Sequence, residues 1–390
     1  MTSKPARSST PATAADIVAV VDELFGEQLH AKRVLSLANA AVGAIAAGSL
    51  AVSLIGAGLA RRQNLNVKHA IKQVDRLLSN RGIDVERLTD TWVAYALGDA
   101  KEAWVNVDWT DFDADDQTTL VASLQMGRGR ALPLVWKTEV KSTLKDRKWA
   151  CLEALLDRLR RAVPTSVKVW IVADREFGAC EVYDMLEARG FEYVLRFRAD
   201  IHVTDWKGTT RTAREWSLGT GRPRALIGPS VTAAKRRVGK VIVVQDAGMK
   251  DTWCLACSHE ALSTSTAKRR YGGRFECEET FRDIKDPRFG FGMGEMSVSR
   301  PDRRDRLFLV AALAHAMLVL LGRAGEHVGM DRMLKANTVK RRTHSLQRQG
   351  LEWFHLIPGM PEERLLLLLD GLHAVSREDP VMRALVGAAL

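Results

Sequence analysis

Two periodicities divide the chain. Residues 15–95 carry apolar positions at helical spacing throughout. An amphipathic opener leads into Val34–Ala60, a stretch of small and apolar residues without a charge, and then into the capped, basic segment KHAIKQVDRLLSNRG. From Trp104 the spacing shortens to that of strands. AWVNVD is a short apolar run ending in an acid, and TTLVASLQM and ALPLVWKTEV alternate on either side of the turn GRGR, as a paired hairpin would. The segment WACLEALLDRLRRAV predicts a helix stopped before Pro164. The near-continuous apolar run VKVWIVAD predicts a strand buried on both faces. ACEVYDMLEARG reads as a helix ending at Gly190 and FEYVLRFRA as a further strand, followed over 200–260 by Thr-, Val- and Gly-rich strands with basic loops such as AAKRRVGK. YGGRFECEETFRDIK, residues 271–285, predicts one helix of about four turns, and 302–390 is mainly helical, with no internal repeat along the chain.

Strands alternating with helices give an α/β class. A length of 390 residues calls for two or three structural units. At 46% hydrophobic and 27% charged the composition is that of an ordinary globular protein, and the net charge of +11 favours a polyanionic partner without saying which. Five cysteines are few and odd in number, which with no secretory signal ahead of them predicts a reduced, cytoplasmic setting. Cys254 and Cys257 form a lone CxxC near Cys277 and His259, but the pair lies in an apolar strand-like run and reads as core rather than as a zinc site. Val34–Ala60 is long enough to raise a membrane-spanning reading. Its glycines, serines and alanines suit close helix contacts in a bundle, so buried helices and no membrane are expected.

Candidate chemistry concentrates in three places. VNVD ends at Asp108 and WIVAD at Asp174, and ligands gather beyond the carboxyl ends of parallel strands. Asp111, Asp113, Asp115 and Asp116 follow Asp108 closely and read as loop acids, since Asp108 directly ends the apolar run. On an ideal helix Tyr271, Arg274, Glu278 and Lys285 fall within a sector of roughly 60°, while Glu276, Glu279 and Asp283 point elsewhere. A lone carboxylate within a stripe of phosphate-binding side chains suggests a metal ligand acting on a phosphodiester. Two strand-end aspartates and Glu278 can together hold hard divalent cations.

Spaced Y-x2-R-x3-E-x6-K, these four residues resemble the signature of the DDE transposases of the insertion-sequence-four group, and the resemblance extends over roughly 30–325. It implies a ribonuclease-H-like catalytic core over 100–300 with a β-rich insertion at about 200–260. A flexible tail at 1–14 and a helical DNA-binding domain at 15–95 would precede it, and a helical region at 301–390 would follow. It further implies Asp108, Asp174 and Glu278 as catalytic metal ligands, with Mg²⁺ as cofactor and Mn²⁺ able to substitute. Tyr271, Arg274 and Lys285 would hold phosphates, and Trp253, in DTWCLAC, would stack on a flipped base. The implied reaction is metal-dependent cleavage at transposon ends, through a hairpin, with strand transfer into target DNA. The implied partners are double-stranded DNA with terminal inverted repeats, target DNA and a second protomer in a homodimeric synaptic complex. Basic regions at 68–76, 235–240 and 340–350 could supply its grips. One departure is Glu176 in DREF, where the group's pattern has glycine. Two other readings stand beside this one: a catalytically inactive, transposase-derived DNA-binding protein, which should have lost an acid, and a membrane-associated protein built on Val34–Ala60.

Overall fold

The computed structural model describes residues 14–219, 221–246 and 248–378. Almost all of the expected tail at 1–14 therefore lies outside the described residues. The chain forms two compact units, one made of residues 100–281 and the other of the segments before and after it.

The helical unit begins with α1 (Ala14–Phe25), α2 (Ala31–Ala47), α3 (Val52–Gln63), α4 (Val67–Ser79) and α5 (Val85–Leu97). The caps follow from sequence: Asn66 accepts from His69 N at the start of α4, and Asp84 from Glu86 N and Arg87 N at the start of α5. The uncharged stretch Val34–Ala60 becomes α2 and α3, bent by 94° about Gly48. Gly48 takes the left-handed conformation (φ 59°) that ends α2. Most of the α2 side chains are buried, as the small-residue composition predicts.

The second unit carries β1 (Glu102–Phe112), β2 (Gln117–Gln125), β3 (Ala131–Val140), α6 (Lys148–Ala162), β4 (Lys168–Ala173), α7 (Cys180–Ala188) and β5 (Glu192–Phe197). Next come β6 (His202–Thr204), β7 (Thr210–Thr212), β8 (Arg224–Ile227), β9 (Ser230–Val231), β10 (Arg236–Arg237), β11 (Lys240–Val244) and β12 (Trp253–Cys257), and then α8 (Thr264–Gly272) and α9 (Phe275–Lys285). This is the mixed α/β architecture the alternation predicts. The large sheet has the order β3-β2-β1-β4-β5-β12-β11-β8. The first three strands pair antiparallel, and β1, β4 and β5 run parallel. Residues 200–260 divide between two sheets: β8, β11 and β12 extend the large one antiparallel from β5, while β10-β9-β6-β7 form a small one. Cys254 and Cys257 are three residues apart on β12, and both are buried without forming a disulfide. Successive strand side chains alternate faces, so the two thiols point to opposite sides of the sheet.

One expectation is corrected. The stretch 271–285 is not a single helix, because α8 ends at Gly272 and α9 begins at Phe275. Two successive glycines have the least to lose by leaving the helix, and side chains of β1 and β2 hold the break there. The Asn106 amide, fully buried on β1, donates to Gly273 O at 3.2 Å, and Gln125 Nε2 donates to Arg270 O at 2.8 Å. A Cβ on Gly273 would come within 2.8 Å of Gln125 Oε1. Tyr271 thus belongs to the helix before the break, and the ideal-helix stripe does not carry across it.

The helical unit resumes with α9's last turn, from Arg282, and continues through α10 (Pro301–His327), α11 (Leu346–Leu356) and α12 (Glu362–Glu378). Among the described helices α10 alone is long and apolar enough to cross a membrane by itself, but 94% of that span is buried in the protein. It is the core helix against which α2, α11 and α12 pack.

Candidate active site

The parallel pairing of β1 with β4 sets the site's first two acids. Trp104 lies opposite Trp170 and Asn106 opposite Val172, so the next position along the same face brings Asp108 beside Asp174. Below them the Trp104 and Trp170 rings stack at 4.7 Å, within a cluster that includes Val172, Leu255, Ala267 and Tyr271. Asp174 follows directly on β4 and caps the turn after it, one carboxylate oxygen accepting from Glu176 N at 2.8 Å. The Asp108 carboxylate accepts from Trp109 N at 2.9 Å.

Helix α9 brings the third acid. Arg274, just before its first residue, is buried and forks between two carboxylates: Nη1 to Asp108 Oδ2 at 3.0 Å and Nη2 to Glu278 Oε1 at 2.7 Å. The Glu278 side chain is about half exposed. Burial pushes the Asp108 carboxyl up to about 7; Arg274 and the Trp109 amide hold it down, and Asp174 and Glu278 push it higher. Asp108 thus lies within electrostatic reach of both Asp174 and Glu278. Among the described residues no three acid, histidine or cysteine side chains converge as metal ligands, and it is the Arg274 guanidinium that stands between Asp108 and Glu278.

The helix is tied down on its other side. Glu276 Oε2 accepts from Gly127 N at 3.0 Å in the β2–β3 turn, where Gly127, Arg128 and Gly129 are all left-handed. Thr280 Oγ1 accepts from Ala131 N at 2.9 Å and donates to Ala131 O at 3.0 Å. Asp108 does not end its strand as expected: β1 continues to Phe112 because it stays paired with β2, so Asp111 lies on the strand and only Asp113, Asp115 and Asp116 in the turn. Asp111 and Asp113 pair with Lys141, and Asp116 holds Ser142.

Residues 146–317 match the transposase DDE domain family. The DDE-domain match takes in Asp174 and Glu278 and begins after Asp108. No curated protein matches the chain.

The remaining signature residues of the DDE reading lie at different depths. Tyr271 is 1% exposed, its ring edge-on to Trp253 at 4.7 Å, and burial pushes its phenol up. Trp253 is half-buried and also faces Phe275, at 6.4 Å. Lys285 is the last residue of α9, in the part of the chain that belongs to the helical unit. Glu176, the departure from the group's pattern, pairs with Lys148 at 3.6 Å, so a nearby cation offsets its extra charge.

Two features were not found from sequence. One is that Arg274 is spent on the acids, although its i, i+4 spacing to Glu278 could have suggested it. The other is a cleft of about 600 Å³ lined by Arg175, Arg196, Arg198, Arg214 and Lys250, with Asp200 and Asp251 as its acids. The LRFRA alternation of β5 and the Arg after Asp174 were its only local signals. Arg274→Ala is expected to raise the Asp108 pKa of the metal-free protein further, because it removes the positive charge that holds the carboxyl down. An NMR carboxyl titration reads this, and an unchanged value would mean that the ion pair does not form in solution.

Proposed function

We propose that the protein is a DDE transposase of the insertion-sequence-four group, cutting transposon ends and joining them to target DNA. The observation that carries the reading is that the DDE-domain match takes in Asp174 and Glu278, while the β1–β4 register puts Asp108 beside Asp174 and Arg274 links Asp108 to Glu278. The order β3-β2-β1-β4-β5, three strands antiparallel and then two parallel, supports a ribonuclease-H-like core.

The donor set suits Mg²⁺ or Mn²⁺, since Asp108, Asp174 and Glu278 offer only carboxylate oxygens and carry more negative charge than Arg274 neutralises. Divalent cations held there would activate the attacking hydroxyl and stabilise the leaving oxygen of an in-line transfer. The protein's own contribution is placement. The β1–β4 register fixes two carboxylates side by side, and Glu276 and Thr280 pin the helix that supplies the third. Arg274 competes with a cation for the same oxygens, so its guanidinium becomes available to a DNA phosphate when Asp108 and Glu278 are otherwise neutralised. The cations of the adjoining cleft, Arg175 and Arg198 among them, hold the strand near the cut. Lys285, Tyr271 and Trp253 fit the phosphate and base contacts of a hairpin intermediate, Tyr271 by supporting the Trp253 ring from below.

Two protomers holding two ends would account for basic surface away from the acids. Lys68, Lys72 and Arg76 on α4 are exposed and suited to this. The 235–240 region is less so, because Arg236 pairs with Asp184 and Glu187, and Lys240 is buried against Leu262 O.

The test is a cleavage assay on duplexes carrying the ends of the element that encodes the chain. Cutting at the terminal repeats in Mg²⁺ or Mn²⁺, with none in EDTA, is the expected result. End binding without cleavage in either metal would leave a DNA-binding relative that has lost its chemistry.

A further inference from the structure

The small sheet carries an aromatic side chain that the active site does not use. Trp206, in the turn between β6 and β7, is 77% exposed, whereas no other large apolar side chain among the described residues exceeds 49%. Single exposed apolar residues are ordinary; a tryptophan this bare, on a turn this well fixed, is not. Asp205 Oδ1 accepts from Lys207 N at 2.9 Å and from Thr209 N at 2.8 Å, and the Thr204 and Thr210 hydroxyls bond across the hairpin at 2.8 Å. Beneath it Trp216 is buried, its indole N–H donating to Val203 O at 3.1 Å. The turn is therefore rigid, and the ring it presents is held away from the core.

A cation lies against that ring, and two more lie against the buried Trp216. The Lys207 ammonium lies 5.0 Å from the Trp206 ring centroid, over one face, which leaves the other face open. Arg211, on the edge strand β7, and Arg224 lie 5.3 and 5.2 Å from the centroid of Trp216. The neighbouring acids are occupied: Asp205 binds the turn amides, and Glu215 accepts from both Thr212 N and Thr212 Oγ1. Among the described residues neither Lys207 nor Arg211 forms a salt bridge. An exposed aromatic ring on a hairpin whose cations form no salt bridge is the pairing that binds unpaired nucleotides, the ring stacking on a base and the cations taking its phosphates.

We propose that the β6–β7 hairpin is a stacking platform for an unpaired DNA base, with Trp206 as the ring and Lys207 and Arg211 as the phosphate contacts. This rests on the reading that the chain acts on DNA, a reaction that exposes unpaired strand at the cut. It is a contact distinct from Trp253, which packs beside the acids' own helix.

The test measures binding of the full chain to two labelled probes, an oligothymidylate and a fully paired duplex with both ends closed by loops. Trp206→Ala should weaken oligothymidylate binding about tenfold, the loss of one stacked base, and leave the closed duplex unchanged. Trp206→Phe should recover most of that loss, because it restores an aromatic face. Wild-type affinity for oligothymidylate in Trp206→Ala overturns the inference, and so does an equal loss on both probes, which would mark a contact to paired DNA. Wild-type protein that binds neither probe would overturn the functional reading as well. Duplex binding with an unaffected Trp206→Ala variant sinks this inference alone.

Discussion

Asp108→Ala, Asp174→Ala and Glu278→Ala are each expected to abolish metal-dependent strand cleavage while leaving binding of the end DNA intact. A metal centre supplies several kcal/mol to the transition state, and at 1.36 kcal/mol per factor of ten its loss costs about a thousandfold or more. Binding should survive because each change removes negative charge from a surface that must approach phosphates. The isosteric variants Asp108→Asn, Asp174→Asn and Glu278→Gln separate chemistry from folding. They keep the side-chain shape on the β1–β4 face and on α9, and should lose cleavage equally. Cleavage near the wild-type rate in any of these proteins removes that residue from the site.

The second large effect lies in the helical unit. Gly350 of α11 and Gly322 of α10 let the two helices meet backbone to backbone: a Cβ on Gly350 would sit 1.9 Å from Leu318 O, and one on Gly322 2.0 Å from Leu346 O. By helix propensity alone Gly→Ala should stabilise each helix by about 1 kcal/mol. The clash opposes this with a carbonyl, which cannot rotate away as a side chain would. Gly350→Ala is therefore expected to destabilise by about 3 kcal/mol, the upper end of ordinary overpacking. In a unit of this size that lowers the melting temperature by about 6–12 °C. An unchanged or raised melting temperature would show that α10 and α11 are spaced more widely than described.

What sequence could reveal follows the reach of each physical signal. The strand before Asp174 was legible because a strand buried on both faces must be apolar nearly throughout, and the acid that follows such a run stands out. Strand β1 was legible but its end was not, since it continues past Asp108 to Phe112. The β2–β3 hairpin was legible because GRGR supplies the left-handed positions its turn needs. The break at Gly272–Gly273 was not, since what holds it is Asn106 and Gln125, side chains about 150 residues away in sequence. The ion pairs of Arg274 with two acids were not legible, because a stripe on an ideal helix says nothing of what lies beneath it. The structure puts two carboxylates there. The sharing of residues 200–260 between two sheets was equally hidden, because β12 and β5 look the same locally whether or not they pair. Trp206 carried no local signal, being one tryptophan among ten until its exposure is known.

The two-segment make-up of the helical unit has a consequence for synthesis. Helices α1–α5 leave the ribosome first, yet α2 packs on α10, and Leu50 N donates to Phe291 O at 3.0 Å. About 200 residues must be added before those partners exist, which at 5–20 residues per second takes about 10–40 s. During that interval the α/β unit, continuous in sequence, can fold to completion while the nascent N-terminal helices still show their apolar faces. A chaperone that engages those faces, or early release of a truncated chain, would therefore act on this protein most strongly between the emergence of α5 and that of α10. The acids obey a similar clock, since Asp108 waits 170 residues for Glu278. No chain released before α9 carries Glu278, so on the proposed reading an unfinished copy would leave the DNA around it uncut.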